Sequence, residues 1–167
     1  EDAISKIDVW SEICLKYGAN AVFMTTALFN YLAKERIDIL ASFNQLLFGG
    51  EKANSQTIRK FLERYPNKQL IHVYGPTETT VYATFTELTL DNFRQAPIGK
   101  PLCDKSLFIF DSNRKLTPIG SVGELFIGGN GLARGYLNKS ELTEASFIPN
   151  PFSDEPQARL YKTGDLV

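Results

Sequence analysis

Cysteine is scarce in this chain. There are two in 167 residues, and methionine, tryptophan and histidine occur once each. Cys14 and Cys103, isolated from one another and beside a single histidine, exclude a disulfide framework and a Cys/His zinc site. Both thiols are expected to be reduced. An excess of one charge is also missing: 18 basic and 19 acidic residues leave a net charge of −1. That excludes the broad basic footprint of a nucleic-acid-binding protein. No apolar run approaches the roughly 20 residues of a membrane-crossing helix. The start, Glu1-Asp2-Ala3-Ile4, lacks the basic residues and the continuous apolar core of a secretory leader. The expectation is a cytoplasmic protein with no membrane or nucleic-acid partner. The chain begins without methionine and stops just after Gly164-Asp165-Leu166, so it is expected to be a piece of a larger protein.

What is present suits a globular chain. A hydrophobic share of 43% allows one domain or two small ones to bury a core. The first half alternates helix and strand patterns. Ile4, Ile7, Trp10, Ile13/Cys14 and Tyr17 recur at helical spacing, with Ser5 near the start and Gly18 as the stop. Ala21 to Met24 reads as a buried strand, Thr26 to Arg36 as a helix, and Gln45 to Phe48 as a strand ending at Gly49-Gly50. Ser55 is expected to cap a helix bearing Ile58, Phe61, Leu62 and Tyr65, which Pro66 ends. Gln69 to Tyr74 is the next strand. Strands separated by helices imply a parallel sheet, with ligands outside the carboxyl ends of its strands. Gly49-Gly50-Glu51 and Gly75-Pro76-Thr77-Glu78 both fall at that edge.

The character changes near Thr84. Ala83 to Leu88, Leu107 to Asp111, Gly123 to Ile127 and Arg159 to Lys162 read as strands, Asn113-Arg114-Lys115 as a hairpin tip, and Ser140 to Phe147 as a short helix. The predicted class is α/β: a partial parallel sheet with flanking helices, then a small, mostly antiparallel, β-barrel-like subdomain. The predicted division is residues 1–88 and 89–167. Lys52, Arg59, Lys60 and Arg64 read as a solvated helix face. Gly128-Gly129-Asn130-Gly131 lacks the Gly-Lys-Ser/Thr ending of a phosphate loop, so its glycines read as turn formers.

Three signatures follow one another in order: Val73-Tyr74-Gly75-Pro76-Thr77-Glu78-Thr79-Thr80, Gly123-Glu124-Leu125-Phe126-Ile127-Gly128-Gly129-Asn130-Gly131-Leu132-Ala133-Arg134-Gly135-Tyr136-Leu137, and Tyr161-Lys162-Thr163-Gly164-Asp165-Leu166. Singly, Tyr74 would read as a core aromatic, Glu78 as a helix-start carboxylate and Asp165 as a turn residue. Together the three resemble the adenylation domains of nonribosomal peptide synthetases, in the adenylate-forming superfamily. The resemblance implies ATP and Mg²⁺ as cofactors, with phosphopantetheine on a partner carrier domain. It also implies peptidyl carrier and condensation domains as partners.

By that resemblance Tyr74 offers a flat face to adenine, Thr77 a hydroxyl to a phosphate oxygen, Glu78 a hard oxygen ligand to Mg²⁺, and Asp165 an acceptor to the ribose hydroxyls. Gly49, Gly50, Glu51 and Gly75 lie along the nucleotide, with Tyr161 near it. His72 stands where the family has an Asn that bonds the adenine amino group. The implied side-chain pocket is Phe23, Leu47, Gly49, Val73, Val81 and Tyr82. It carries no charge, so a charged substrate side chain would be buried without a partner. An aliphatic amino acid is expected, isoleucine first, with valine and leucine open because one methylene is worth only about 1–3 kcal/mol.

The family's Gly/Ser/Thr-rich phosphate loop and its C-terminal subdomain with a catalytic Lys are not in these 167 residues. The chain alone is therefore expected to be inactive and to self-associate through the surface its missing neighbours would cover. Two other readings stand beside this one: an acyl-CoA or related acid–thiol ligase, and a non-catalytic module.

Overall fold

The computed structural model describes the backbone of residues 2–167 and side chains from Lys6 onward. The side chains of Ile4 and Ser5, expected on the first helix, lie outside the described residues. The chain divides into two compact units. The first is 1–73 with 85–99, and the second is 74–84 with 100–167.

In the first unit the elements run α1 (Asp2–Lys16), β1 (Ala21–Thr25), α2 (Thr26–Glu35), α3 (Ile37–Ala41), β2 (Gln45–Gly49), α4 (Ser55–Arg64), β3 (Gln69–Tyr74) and β4 (Thr84–Glu87), the last two each crossing the unit boundary by one residue. Gly18 follows α1 with φ 66°, a conformation glycine takes without a Cβ penalty. The first three strands are parallel and in register, with Ala21 beside Gln45 beside Gln69, and Thr25 beside Gly49 beside Val73. Parallel strands need crossovers, which α2 with α3 and then α4 supply.

Strand side chains alternate between faces. Met24, Leu46, Phe48 and Leu70 point to the face packed by Phe29 and Leu32 of α2, Ile39 and Leu40 of α3, and Ile58 and Phe61 of α4. Phe29 stacks on Phe48 at 4.5 Å and meets Phe61 edge-on at 6.1 Å. Each such buried ring contributes about 1.5–3 kcal/mol. Asn54, not Ser55, caps α4: its Oδ1 accepts from the amides of Gln56 and Thr57 at 3.0 and 3.1 Å. Both residue types cap well. The extended backbone of Asn54 (φ −92°, ψ 110°) is what assigns it the role.

The second unit holds β5 (Lys100–Pro101), β6 (Lys105–Phe110), β7 (Glu124–Gly129), α5 (Ser140–Ser146), β8 (Phe147–Pro149) and β9 (Arg159–Leu166). Four of these strands form an antiparallel sheet in the order β6-β7-β9-β8. The expected barrel is corrected here: the sheet is open, with β6 and β8 at its edges. Its edge strand β8 is three residues long and ends in Pro149, which has no N–H to offer a further strand. One apolar cluster is Phe110, Phe126 and Leu160, with Phe108 and Ile148 against it, and Leu125, Ile127, Phe147 and Tyr161 are buried as well. The hairpin tip forms as expected. Arg114 has φ 59°, and Asp111 Oδ1 accepts from the amides of Asn113 and Lys115.

Candidate active site

In the first unit the residues singled out sort by face. Phe23 and Leu47 are register neighbours, as are Gly49 and Val73, so all four lie on one face of the parallel sheet. Phe23 is 45% exposed there, whereas Val73 is 4% exposed. Gly49 has no room for a side chain, since a Cβ would stand 2.1 Å from the carbonyl oxygen of Val73. Gly50 takes φ 97°, and Glu51 accepts the Thr26 hydroxyl on its carbonyl at 3.2 Å. His72 belongs to the other face. It is 6% exposed and its ring stacks on Phe48 at 5.2 Å. Its Nδ1 sits 3.1 Å from the carbonyl oxygen of Pro97. A carbonyl cannot donate, so Nδ1 is the donor in this contact.

In the second unit, the segment after Val73 closes on itself. Tyr74 O accepts from Ala83 N at 2.8 Å. Gly75 permits this closure, because a Cβ on it would lie 2.5 Å from Ala83 N and Val81 O. Thr77–Thr79 make a single 3-10 turn. Thr80 and Val81 then both take φ 64°, the left-handed region. Such residues cost on the order of 1–3 kcal/mol each and persist only where neighbours hold them.

The neighbours are hydrogen bonds. Lys105 Nζ donates to the carbonyls of Thr79 (2.8 Å) and Asn130 (2.5 Å). Thr80 Oγ1 donates to Gly131 O at 2.6 Å, and Ala133 N donates to Glu78 O at 2.7 Å. Burial draws the Lys105 ammonium below the ordinary lysine range.

Glu78 is thereby held at both main chain and side chain. Its Oε1 accepts from the Tyr136 hydroxyl at 2.6 Å. That bond holds the carboxyl below the usual carboxylate range, against the opposing effect of burial, and Tyr161 acts in the same sense. The phenol of Tyr161 is pushed up by burial, by its bond with Tyr136 and by the charge of Glu78. The corner thus sets a carboxylate held toward its ionised form beside the Tyr136 hydroxyl that donates to it and a Tyr161 phenol pushed up from its ordinary range.

A second pair stands nearby in sequence terms. Tyr74 donates its hydroxyl to Asp165 Oδ2 at 2.5 Å. Burial first, and Asp165 second, push the Tyr74 phenol well above its ordinary range. Asp165 is exposed and lies at the end of β9. Thr163 Oγ1 anchors that end to Leu125 O at 2.7 Å, and Gly164 N donates to Glu124 Oε1.

The structure therefore brings Glu78 to Tyr161 and Tyr74 to Asp165, while Thr77 and Val81 are exposed on the loop and Tyr82 is half-buried. Tyr136 and Lys105 belong to this arrangement and were assigned no role from sequence. Tyr136 lay inside a signature, whereas Lys105 carried no signal.

The family model described as AMP-binding enzyme matches residues 1–137. Bacitracin synthase 1 of Bacillus licheniformis is 50% identical over 159 residues, covering 94% of this chain and 3% of that protein. Surfactin synthase subunit 3 of Bacillus subtilis is 42% identical, over 94% of this chain and 12% of that protein. The chain thus spans a small part of the curated relatives it matches. Among solved structures, holo-PA1221, a peptide synthetase protein with adenylation and PCP domains bound to a vinylsulfonamide inhibitor, superposes with a TM-score of 0.89 at 32% identity, covering 95% of this chain and 28% of that one. The N-terminal subdomain of Klebsiella oxytoca NpsA shares the fold with a TM-score of 0.84 at 21% identity, over 95% and 39% of the two chains. Across the described residues, no helix is long and apolar enough to cross a membrane. The chain belongs to the AMP-binding family of adenylate-forming ligases, among the adenylation domains of nonribosomal peptide synthetases.

Proposed function

We propose that the complete protein activates an aliphatic amino acid, isoleucine before valine or leucine, and passes it to a carrier-domain thiol. In the reaction an oxygen of the substrate carboxylate bonds to the α-phosphorus of ATP, and the bond to the leaving pyrophosphate breaks. The aminoacyl group then moves to phosphopantetheine on a peptidyl carrier domain, for use by a condensation domain. Residues 1–88 contribute to the nucleotide and amino-acid binding subdomain, and 89–167 to the β-rich one.

The Glu78 carboxylate is the observation that carries this reading. It is kept ionised by Tyr136, on a loop whose exposed Thr77 offers a hydroxyl to phosphate. Mg²⁺ fits this donor set. The ion takes oxygen ligands, and it is commonly bound through one or two carboxylates with water and substrate phosphates rather than in an all-protein cage. Among the described residues no group of three His, Cys, Asp or Glu side chains gathers to make such a cage. Glu78 would hold the ion, which when bound neutralises phosphate charge. Asp165 has acceptor capacity beyond its bond from Tyr74 and serves the ribose hydroxyls. The Tyr74 ring supports adenine, and the family resemblance gives Gly49, Gly50, Glu51, His72 and Gly75 to the nucleotide as well.

The uncharged side chains Phe23, Leu47, Val73, Val81 and Tyr82, with Gly49, support an aliphatic substrate. The test is amino-acid-dependent exchange of labelled pyrophosphate into ATP by an intact domain carrying this sequence. Isoleucine should give the fastest exchange, and best exchange with an acidic, basic or aromatic amino acid would refute the pocket. The 167 residues alone should release no pyrophosphate and should self-associate on size-exclusion chromatography. Turnover by them at an intact domain's rate would overturn that.

A further inference from the structure

Lys105 is a lysine whose charged head is turned inward onto main chain. Its Nζ bridges the carbonyl oxygens of Thr79 at 2.8 Å and Asn130 at 2.5 Å. An ammonium has three donors and no acceptor, so two of its donors hold two separate loops. The acceptors are carbonyls, which distinguishes the bridge from a surface ion pair. One loop carries Thr77 and Glu78, and the other follows β7.

Two further bonds run beside the bridge, from Thr80 Oγ1 to Gly131 O and from Ala133 N to Glu78 O. Gly131 belongs to the same device. A Cβ on it would stand 2.7 Å from Lys105 Nζ and 3.2 Å from Thr80 Oγ1. The loop needs such fastening, because Thr80 and Val81 both sit in the left-handed region that side-chain-bearing residues leave when released.

We propose that Lys105 is a positioning residue for adenylation: by tying Thr79 to Asn130 it sets where the Thr77 hydroxyl and the Glu78 carboxylate stand. It touches neither substrate nor reacting atoms. The inference rests on the roles given to Thr77 and Glu78 under Proposed function. Placement on this scale matters, since an error of about 1 Å can cost about a hundredfold in rate.

The test compares Lys105→Met, which keeps the aliphatic stem and removes the donors, with Lys105→Arg, which restores donors. Both are made in an intact domain carrying this sequence. Three quantities are read: kcat and KM for pyrophosphate exchange, the thermal melt, and hydrogen–deuterium exchange of residues 77–82 and 130–133. Lys105→Met should lower kcat by about ten- to a hundredfold with the amino-acid KM unchanged. Amide exchange should quicken in those two segments alone, and Lys105→Arg should recover most of both losses. Wild-type kcat and amide exchange in Lys105→Met, or equal losses in Met and Arg, would overturn the proposal. If Lys105→Met does not fold, Thr80→Ala carries the test. It removes the parallel link and should quicken the same amides by less, and unchanged amides would count against the clamp. A wild-type domain that exchanges pyrophosphate with no amino acid would sink the adenylation reading, while its amides would still decide whether Lys105 holds the loop.

Discussion

The first unit buries Phe29, Phe43, Phe48 and Phe61 completely, in one continuous cluster with the aliphatic side chains of α2, α3 and α4. Among the described residues of the second, one cluster forms on Phe110, Phe126 and Leu160, and Leu125, Ile127, Phe147 and Tyr161 are buried too. This unit adds side chains that grip main-chain carbonyls: Lys105 on Thr79 and Asn130, Thr163 on Leu125, Arg159 on Ala133 and Arg134. The burial of apolar surface that drives the first cluster is non-directional. Hydrogen bonds between fixed partners weaken steeply away from a preferred distance and angle. The first unit is therefore built as a scaffold. The second is built to hold particular atoms, those of Glu78 and Asp165, in place.

The largest expected effect tests the scaffold. Phe48→Ala removes a ring stacked on both Phe29 and His72 and should cost about 3–5 kcal/mol of stability, read by denaturant unfolding. A cost under about 1 kcal/mol would mean that the core repacks and that the contrast between the units is weak.

Glu78→Gln should leave the melt near wild type while lowering pyrophosphate exchange about a hundredfold, near 2.7 kcal/mol of barrier. Asp165→Ala should act in the same sense with a smaller effect. Near-normal exchange by a folded Glu78→Gln domain would remove the role given to the carboxylate.

Gly49→Ala sharpens the comparison from the other side. The new Cβ would press on a main-chain carbonyl that cannot turn away, and overpacking of this kind costs about 1–3 kcal/mol. Gly50→Ala meets nothing within 4 Å and suffers only from its φ of 97°, so it should cost about 1 kcal/mol. Equal melts for the two would show that the strand end yields.

The last prediction, also modest in size, is Tyr136→Phe. It deletes a bond to a charged group and should cost about 1.5 kcal/mol near neutral pH. The sign follows from Glu78, whose folded pKa is lowered. Its contribution is fully present above its ordinary value of 4.5 and is lost as pH falls through the lower folded value. The gap between wild type and Tyr136→Phe, measured by melts across pH, should therefore close on acidification. A gap that widened with acid would show that Tyr136 does not act on the ionised carboxylate.

Much of the fold was legible because local patterns have fixed periods. The β1, β2 and β3 patterns, and the helices between them, follow from periods of 2 and 3.6. Other features were not. The helix α3 has five residues, too few to display a period. β9 was expected to end at Lys162, because Thr163-Gly164-Asp165 has the composition of a turn. It runs to Leu166, since Thr163 and Gly164 find partners on β7.

The three signatures, read by themselves, determined the family and named Tyr74, Thr77, Glu78 and Asp165 as the residues to watch. They did so because residue type and order are local properties of the chain. Only the tertiary structure decided that Tyr136, 58 residues from Glu78, holds its carboxylate. The same holds for Lys105 fastening the loop and for the antiparallel sheet staying open. Those outcomes depend on which distant groups are brought within about 3 Å of one another, and no spacing along the chain encodes that distance.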